Sequence, residues 1–197
     1  MSERIWLALV IFLTTLLVGL ALFWSPALPE AALPKPALAP GGDFTLQSAD
    51  GTLSLKDYRG KLVLVYFGYT YCPDICPTSL AATAAALNLL TPEEAAQVAV
   101  IFISVDPQRD TPARLKEYAA FFHPVMIGVT GTPDNLAEIA GRYGAFYAHQ
   151  KVDSAGGYVV DHTADTYVVG RSGRLLTKIP HGAAADWVAR EIRQGLQ

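Results

Sequence analysis

The order of hydrophobic and polar residues divides the chain into a uniformly apolar segment followed by a region of shorter, alternating patterns. Residues 5–24 include no charged side chain. A helix of that length spans about 30 Å, which is the hydrocarbon thickness of a bilayer. Trp6 and Trp24 lie at its two ends, where amphipathic rings favour the membrane interface. The pattern predicts that residues 1–24 form a short cytoplasmic tip and a transmembrane anchor.

Two other interpretations of the apolar segment stay open at the level of sequence, namely a cleaved signal peptide and a buried core helix. The segment exceeds the roughly 7–15 apolar residues of a signal peptide, although Ser25-Pro26-Ala27 weakly resembles a cleavage site. A uniformly apolar helix that is followed by proline is a poor candidate for a core helix. Arg4 precedes the segment and favours a cytoplasmic N-terminus, which would place the rest of the chain outside the cytoplasm.

Proline dominates the next segment, residues 25–40, at positions 26, 29, 34, 36 and 40. Each proline lacks a backbone N–H and disfavours a helix, so the segment is expected to be extended. At about 3.1 Å per residue it would reach roughly 50 Å. We therefore predict a tether between the anchor and a folded domain over residues 41–197. The alternative is a disordered linker, which with this proline content would be almost the same extended spacer.

Beyond the tether, strand-like and helix-like patterns alternate. Leu62–Phe67 and Val98–Val105 are apolar throughout, as is typical of strands buried on both faces of a sheet. Thr111 and Thr132 each precede a proline, a pair that favours the start of a helix. The predicted strands are 44–46, 53–55, 62–67, 98–105, 125–129, 146–149, 158–160, 166–169 and 175–179, and the predicted helices are 79–90, 111–122, 132–143 and 184–193. This order predicts an α/β fold, a thioredoxin-like mixed sheet flanked by helices with an N-terminal hairpin extension.

Composition narrows the classes of function. The chain carries 15 Lys and Arg against 18 Asp and Glu, a net charge of −3, so a strongly cationic nucleic-acid surface is not expected. Its two cysteines are too few for a scaffold of several disulfides. A hydrophobic content of 51% also argues against wholesale disorder.

Both cysteines lie in the segment Tyr71–Pro77 (YCPDICP), between a predicted buried strand and a predicted helix. Functional residues commonly follow the strands of open α/β sheets. The C-x-x-x-C spacing would place Cβ atoms about 5–6 Å apart on a helix, whereas a relaxed disulfide needs about 3.5–4.5 Å. Pro73 and Pro77 bias Cys72 and Cys76 away from helical geometry, so a disulfide stays open. The spacing favours a shared metal ion over redox chemistry alone.

Two thiolates near the start of a helix suit a soft metal ion. The helix N-terminus lowers the pKa of nearby thiols, and Cu(I) prefers sulfur ligands. Zinc usually takes four protein ligands in a closed site, and no second cysteine pair exists here. Two sulfurs leave room for a third ligand, for which an imidazole is the best candidate.

His162 is the histidine that the predicted topology places opposite the cysteines. It lies just before the strand 166–169, which in a thioredoxin-like sheet runs antiparallel to the strand that precedes the cysteines. His123 is expected to cap a helix C-terminus next to Pro124. No comparable argument favours His149 or His181.

Three segments of the sequence resemble the Sco/SenC family of membrane-tethered copper chaperones for cytochrome c oxidase assembly. They are Tyr71–Pro77 (YCPDICP), Phe102–Pro112 (FISVDPQRDTP) and Val160–Thr163 (VDHT). The resemblance implies that Cys72, Cys76 and His162 bind one copper ion, as Cu(I) and with Cu(II) left open. It also implies that Cys72 and Cys76 can form a redox-active disulfide.

The resemblance further implies partners and a location. The copper would go to the dinuclear Cu(A) centre of cytochrome c oxidase subunit II, or the cysteines of that subunit would be reduced. A second periplasmic copper chaperone or a thioredoxin-like reductant is a further implied partner. The chain would be a single-pass protein of the bacterial inner membrane with its C-terminal domain on the extracytoplasmic side.

Neighbouring polar residues receive supporting roles. Asp161 is a candidate to orient His162 through a hydrogen bond, with a solvated loop residue as the alternative. In the D-P-x-R-D-T stretch, Asp106 and Asp110 are expected in turns, with Arg109 paired to one of them. A partner-docking role for this stretch is left open.

Two enzymatic alternatives remain at this point. The first is a thiol–disulfide oxidoreductase that uses the same cysteine pair. Ala164-Asp165 stands where ordinary thioredoxins carry a cis-proline that shapes the substrate groove, which argues against a general disulfide reductase. The second is a peroxidase-like enzyme with one reactive cysteine and a nearby arginine, which the paired cysteines do not specially support.

Overall fold

The computed structural model describes residues 3–23, 40–151 and 157–197, and the chain divides into the units Met1–Ala37 and Leu38–Gln197. Helix α1 (Glu3–Phe23) occupies the first unit, and its stretch Glu3–Leu20, of mean hydropathy 1.9, is long and apolar enough to cross a membrane. The hydroxyl of Thr14 donates to a main-chain carbonyl one turn earlier, which satisfies this polar group within an apolar helix. The predicted end at Trp24 and residues 25–39 of the predicted tether (25–40) lie outside the described residues.

In the residues that the structure describes, the second unit contains three sheets flanked by helices. The strands are β1 (Thr45–Ser48), β2 (Gly51–Ser54), β3 (Leu62–Gly68), β4 (Val98–Ser104), β5 (Met126–Val129), β6 (Tyr147–Lys151), β7 (Tyr158–His162), β8 (Thr166–Val169) and β9 (Leu175–Ile179). The helices are α2 (Ile75–Leu87), α3 (Pro92–Ala95), α4 (Pro112–Phe122), α5 (Pro133–Tyr143) and α6 (Ala185–Leu196). A 3₁₀ turn, Leu55–Tyr58, precedes β3.

The central sheet has five strands in the order β5-β4-β3-β8-β9, and β1–β2 and β6–β7 form two separate hairpins. Strands β3 and β4 are parallel, and every residue of both is buried. Strand β8 runs antiparallel to β3, with Thr166 opposite Tyr66. The predicted mixed sheet is therefore present, and the start of β8 lies beside the end of the strand that leads to the cysteines.

Helix α2 begins earlier than the sequence pattern indicates, at Ile75 instead of Ser79. It includes Cys76 and Pro77 in its first turn, so the expectation that Pro77 keeps Cys76 out of helical geometry is wrong. Proline is tolerated in the first turn because the N–H groups there have no partner within the helix. Cys76 is consequently held by regular helical backbone, while Cys72 lies in the preceding loop.

Two further differences concern short elements. Helix α3 was not predicted, and it forms because Thr91 and Glu94 make a reciprocal capping box around Pro92. Strand β7 extends to His162 instead of ending at Val160. The predicted turn at 154–157 lies outside the described residues except for its last residue.

Candidate metal centre

The side chains of Cys72, Cys76 and His162 meet at the carboxyl end of β3. One potential ligand atom from each of them lies within 4.8 Å of the others. Cys76 Sγ and His162 Nε2 lie 3.1 Å apart. Both cysteines are free thiols, Cys76 buried and Cys72 half-buried. The structure thus brings together the three residues that the sequence singled out.

The cysteine loop turns sharply between β3 and α2. The N–H of Cys72 donates to the carbonyl of Tyr69 (3.3 Å), and the N–H of Cys76 donates to Cys72 Sγ (3.4 Å). An N–H of the first helical turn, which has no partner within the helix, therefore points at the Cys72 sulfur. This arrangement stabilises a thiolate at Cys72, because the N-terminus of a helix carries partial positive charge.

Gly68, the last residue of β3, is a functional residue that sequence reasoning missed. A Cβ at this position would lie 2.7 Å from Cys76 Sγ, closer than real contacts allow. The close approach of the sulfur to the strand therefore requires glycine. The signal was a glycine that ends an otherwise apolar strand, immediately before the cysteine loop.

The two thiols have opposite pKa shifts. A hydrogen bond from the Cys76 side chain lowers the pKa of Cys72 to about 4, against an opposing contribution from burial. The N–H of Cys76 contributes to the lowering. The same contact with Cys72, together with burial, raises the pKa of Cys76 far above its ordinary value. Of the two thiols, Cys72 is therefore the one that ionises first.

The low pKa of Cys72 predicts alkylation that is nearly independent of pH between 6 and 8 in the metal-free protein. For an ordinary thiol with a pKa near 8.5, the alkylation rate would fall about 100-fold when the pH is lowered from 8 to 6. Cys72 stays ionised because its pKa of about 4 lies below this range. Iodoacetamide kinetics followed by mass spectrometry measure this, with Cys72→Ser as the control that leaves only the buried Cys76. A rate midpoint near pH 8 would contradict the assignment.

His162 presents Nε2 to the sulfurs because its other nitrogen is occupied. Nδ1 lies 3.0 Å from the carbonyl oxygen of Thr163, which can only accept, so Nδ1 is assigned the proton. The rings of Tyr66 and Tyr69 pack edge-on against the imidazole, with centroid distances of 6.1 and 5.9 Å. Nε2 is left with a lone pair directed at the thiols, as a metal ligand requires.

Asp161 lies on the exposed side of the same strand, where its backbone pairs with Ala148. Within the described parts of the chain, its carboxylate makes no hydrogen bond to the His162 ring. The orienting contact proposed for Asp161 from the sequence is made here by the main-chain carbonyl of Thr163.

The other three histidines lie apart from the sulfurs. His123 caps α4, as predicted, and its Nδ1 accepts from the N–H of Val125. His149 is exposed on β6. His181 contacts the hydroxyl of Ser79 through Nδ1 at 2.9 Å. Among the described residues, Cys72, Cys76 and His162 are the one group with metal-binding geometry.

An open cleft of about 450 Å³ leads to Cys72 and His162. Its walls are the cysteine loop on one side and β7 on the other, with Ile75 and Val159 among the lining residues. Both of these apolar side chains are exposed. A partner therefore has direct access to Cys72, while Cys76 lies behind it.

The fold and these three side chains define a thioredoxin-like domain with a Cys-Cys-His group at the start of its first domain helix. The sequence matches the SCO1/SenC family over residues 34–197. The chain belongs to that family, which confirms the resemblance noted from its motifs.

Relatives and solved structures agree with this assignment. Protein SenC of Rhodobacter capsulatus is 39% identical over 153 residues, which cover 77% of this chain and 68% of that protein. The mitochondrial SCO1 homolog 1 of Arabidopsis thaliana is 36% identical over 159 residues, and the match spans 78% of this chain but only 47% of that protein.

Two solved structures bear on the fold and on the site. Bradyrhizobium japonicum ScoI with copper bound is 36% identical, with a TM-score of 0.72 and coverage of 80% of this chain and 100% of its own. BsSco, described as having a disulfide switch and as a member of the Sco family of cytochrome c oxidase assembly proteins, is 26% identical with a TM-score of 0.65, covering 83% and 96%. The predicted thioredoxin-like fold is confirmed.

Proposed function

We propose that this chain binds one copper ion through Cys72, Cys76 and His162 and carries it to the Cu(A) centre of cytochrome c oxidase subunit II. The observation that carries the proposal is the convergence of two sulfurs and an imidazole nitrogen within 4.8 Å. Copper is the metal named for the 36% identical Bradyrhizobium structure. Copper is here a cargo, so the site must both hold it and release it.

The donor set fits Cu(I) better than the alternatives. Thiolate and imidazole are soft or borderline ligands, and three of them suffice for Cu(I). Structural zinc usually takes four protein ligands, and the described residues offer three. The half-exposed Cys72 beside an open cleft supports transfer, because an incoming thiolate can approach the metal from that side.

Copper titration of variants tests this function. We expect one Cu(I) per chain in competition with a chromophoric chelator. Cys72→Ser and Cys76→Ser should each weaken binding by more than about 100-fold, because loss of an outer hydrogen-bond partner alone costs about 10–100-fold. His162→Ala should weaken it by at least about 10-fold. His123→Ala is the matched control, since it removes an imidazole at the α4 cap. Unchanged affinity in the cysteine and His162 variants would refute the proposal.

The location and partner are part of the same proposal. Helix α1 is long and apolar enough to cross a membrane, which supports a single-pass protein with its domain on the extracytoplasmic side. The description of BsSco as a member of a cytochrome c oxidase assembly family supports subunit II as the partner. Copper transfer from the loaded chain to the separately produced Cu(A) domain, followed by the visible absorption of Cu(A), tests this step.

A thiol–disulfide oxidoreductase is the second candidate, favoured by the opposite pKa shifts of the two thiols. The Cys72 thiolate would attack a disulfide of subunit II and form a mixed disulfide, releasing one thiolate of the partner. Cys76 would then lose its proton to the thiolate released first, attack the Cys72 sulfur and displace the second partner thiolate, leaving an oxidised Cys72–Cys76 pair and a reduced partner. Exchange with the oxidised Cu(A) domain in the absence of copper would support this role. Absence of exchange would exclude it.

A further inference from the structure

The hairpin β6–β7 carries His162 but belongs to neither of the other sheets. Beyond its chain connections to α5 and β8, its position relative to the cysteines therefore depends on side-chain contacts. Val160 is buried in the core, and His162 packs on Tyr66 and Tyr69. A further anchor is at the opposite end of β7, at Tyr158.

Tyr158 contacts the segment that follows β4 through its hydroxyl, its ring and its carbonyl. Its hydroxyl donates to Asp106 Oδ1 at 2.6 Å, and Asp106 is fully buried. The centroid of its ring lies 3.7 Å from the guanidinium carbon of Arg109. Its carbonyl accepts a hydrogen bond of 2.9 Å from Arg109 Nη1. Arg109 Nε in turn donates to Asp106, as the sequence predicted for one of the two aspartates.

The same segment holds the cysteine loop at its other end. Asp110 is buried and accepts hydrogen bonds from the N–H of Thr70 (2.9 Å) and its hydroxyl (2.6 Å). Thr70 lies two residues before Cys72. The segment Asp106–Asp110 thus connects the loop that carries the thiols to the strand that carries the imidazole.

We propose that Asp106, Arg109 and Tyr158 form a latch that sets the distance of His162 from the two sulfurs. Tyr158 and Arg109 are positioning residues, since they act on the metal site through β7. This inference rests on the proposed function because it assigns the latch a role in the affinity of the Cys-Cys-His group. A contact between Arg109 and the rings of Tyr69 and Tyr71 (5.5 and 4.8 Å) ties the latch to the cysteine loop as well.

The test is a double-mutant cycle in the full chain in detergent. Tyr158→Phe removes the hydroxyl bond to Asp106 and keeps the ring. We expect it to weaken Cu(I) binding by about 10-fold, the low end of the range for groups that position a ligand. In the His162→Ala background, the same substitution should change the affinity by less than about 2-fold, because its effect passes through the imidazole. Arg109→Gln serves as a second variant with the same expected pattern.

Tyr143→Phe is the matched control, because its hydroxyl donates to Gly42 at 2.9 Å outside the metal site. It should leave copper affinity unchanged in both backgrounds. When His162→Ala itself weakens binding, equal weakening by Tyr158→Phe with and without His162 would overturn the latch, and so would no weakening by Tyr158→Phe at all.

Amide hydrogen exchange of the metal-free chain separates this inference from the proposed function. In Tyr158→Phe, we expect the amides of β6 and β7 to exchange at least about 10-fold faster, with the central sheet unchanged. If His162→Ala itself leaves copper affinity intact, the proposed function fails, yet faster exchange confined to the hairpin still supports the latch. Unchanged exchange in the hairpin would overturn it.

Discussion

Replacing Asp110 with alanine is expected to destabilise the domain by about 3 kcal/mol. The carboxylate is buried and accepts hydrogen bonds from the N–H and hydroxyl of Thr70 and from the hydroxyl of Ser104. Removing it leaves three donors without their partner, and each unsatisfied buried group costs about 1–3 kcal/mol. The 3.9 Å ion pair with Arg114 adds little, because the Arg114 side chain is 46% exposed.

Urea denaturation of the domain from Leu38 onward measures the effect. Trp187 is the one tryptophan in this fragment, so its fluorescence reports unfolding. Asp165→Ala is the matched control, since it removes a carboxylate that pairs with Lys178 at the surface, and we expect a loss below about 1 kcal/mol. Similar midpoints for the two variants would show that the Asp110 network does not stabilise the fold.

The main strands were predictable from the hydrophobic pattern of the sequence. The meeting of His162 with the two cysteines was predictable from the order of those strands. Continuous apolar runs located β3 and β4, and the antiparallel neighbour of β3 placed His162 near the cysteines. That argument needs only the order of strands in the sheet. The observed pairing of Tyr66 with Thr166 bears it out.

The contacts that hold the site were not predictable in the same way. Asp110 and Thr70 are 40 positions apart and lie in loops, where no periodic pattern relates one segment to another. The proton of His162 depends on the carbonyl of Thr163, a main-chain group that carries no sequence signal. Asp161 was the candidate for orienting the His162 ring because a sequence gives the identity of each side chain but not the direction of each main-chain carbonyl.

Gly68→Ala is expected to damage both the fold and the metal site. Its Cβ would lie 2.7 Å from Cys76 Sγ, 3.0 Å from Phe102 and 3.1 Å from Tyr66. All three neighbours are buried, so they cannot move aside into solvent. Overpacking of this kind costs about 1–3 kcal/mol. The sulfur is the atom with the closest contact, so the substitution should also displace this candidate ligand and weaken Cu(I) binding by about 10-fold or more.

Gly141→Ala is the matched control, because a Cβ there meets nothing within 4 Å on helix α5. Alanine in a helix interior should be neutral or stabilising by up to about 1 kcal/mol, and copper affinity should not change. Urea denaturation and chelator competition on the two variants separate a general glycine effect from the contact with Cys76.

The double variant Gly68→Ala/Cys76→Ser should recover part of the lost stability, since the smaller oxygen relieves the closest contact. A Gly68→Ala protein with ordinary stability and copper affinity would mean that β3 and α2 can separate without cost, contrary to the packing described for the core.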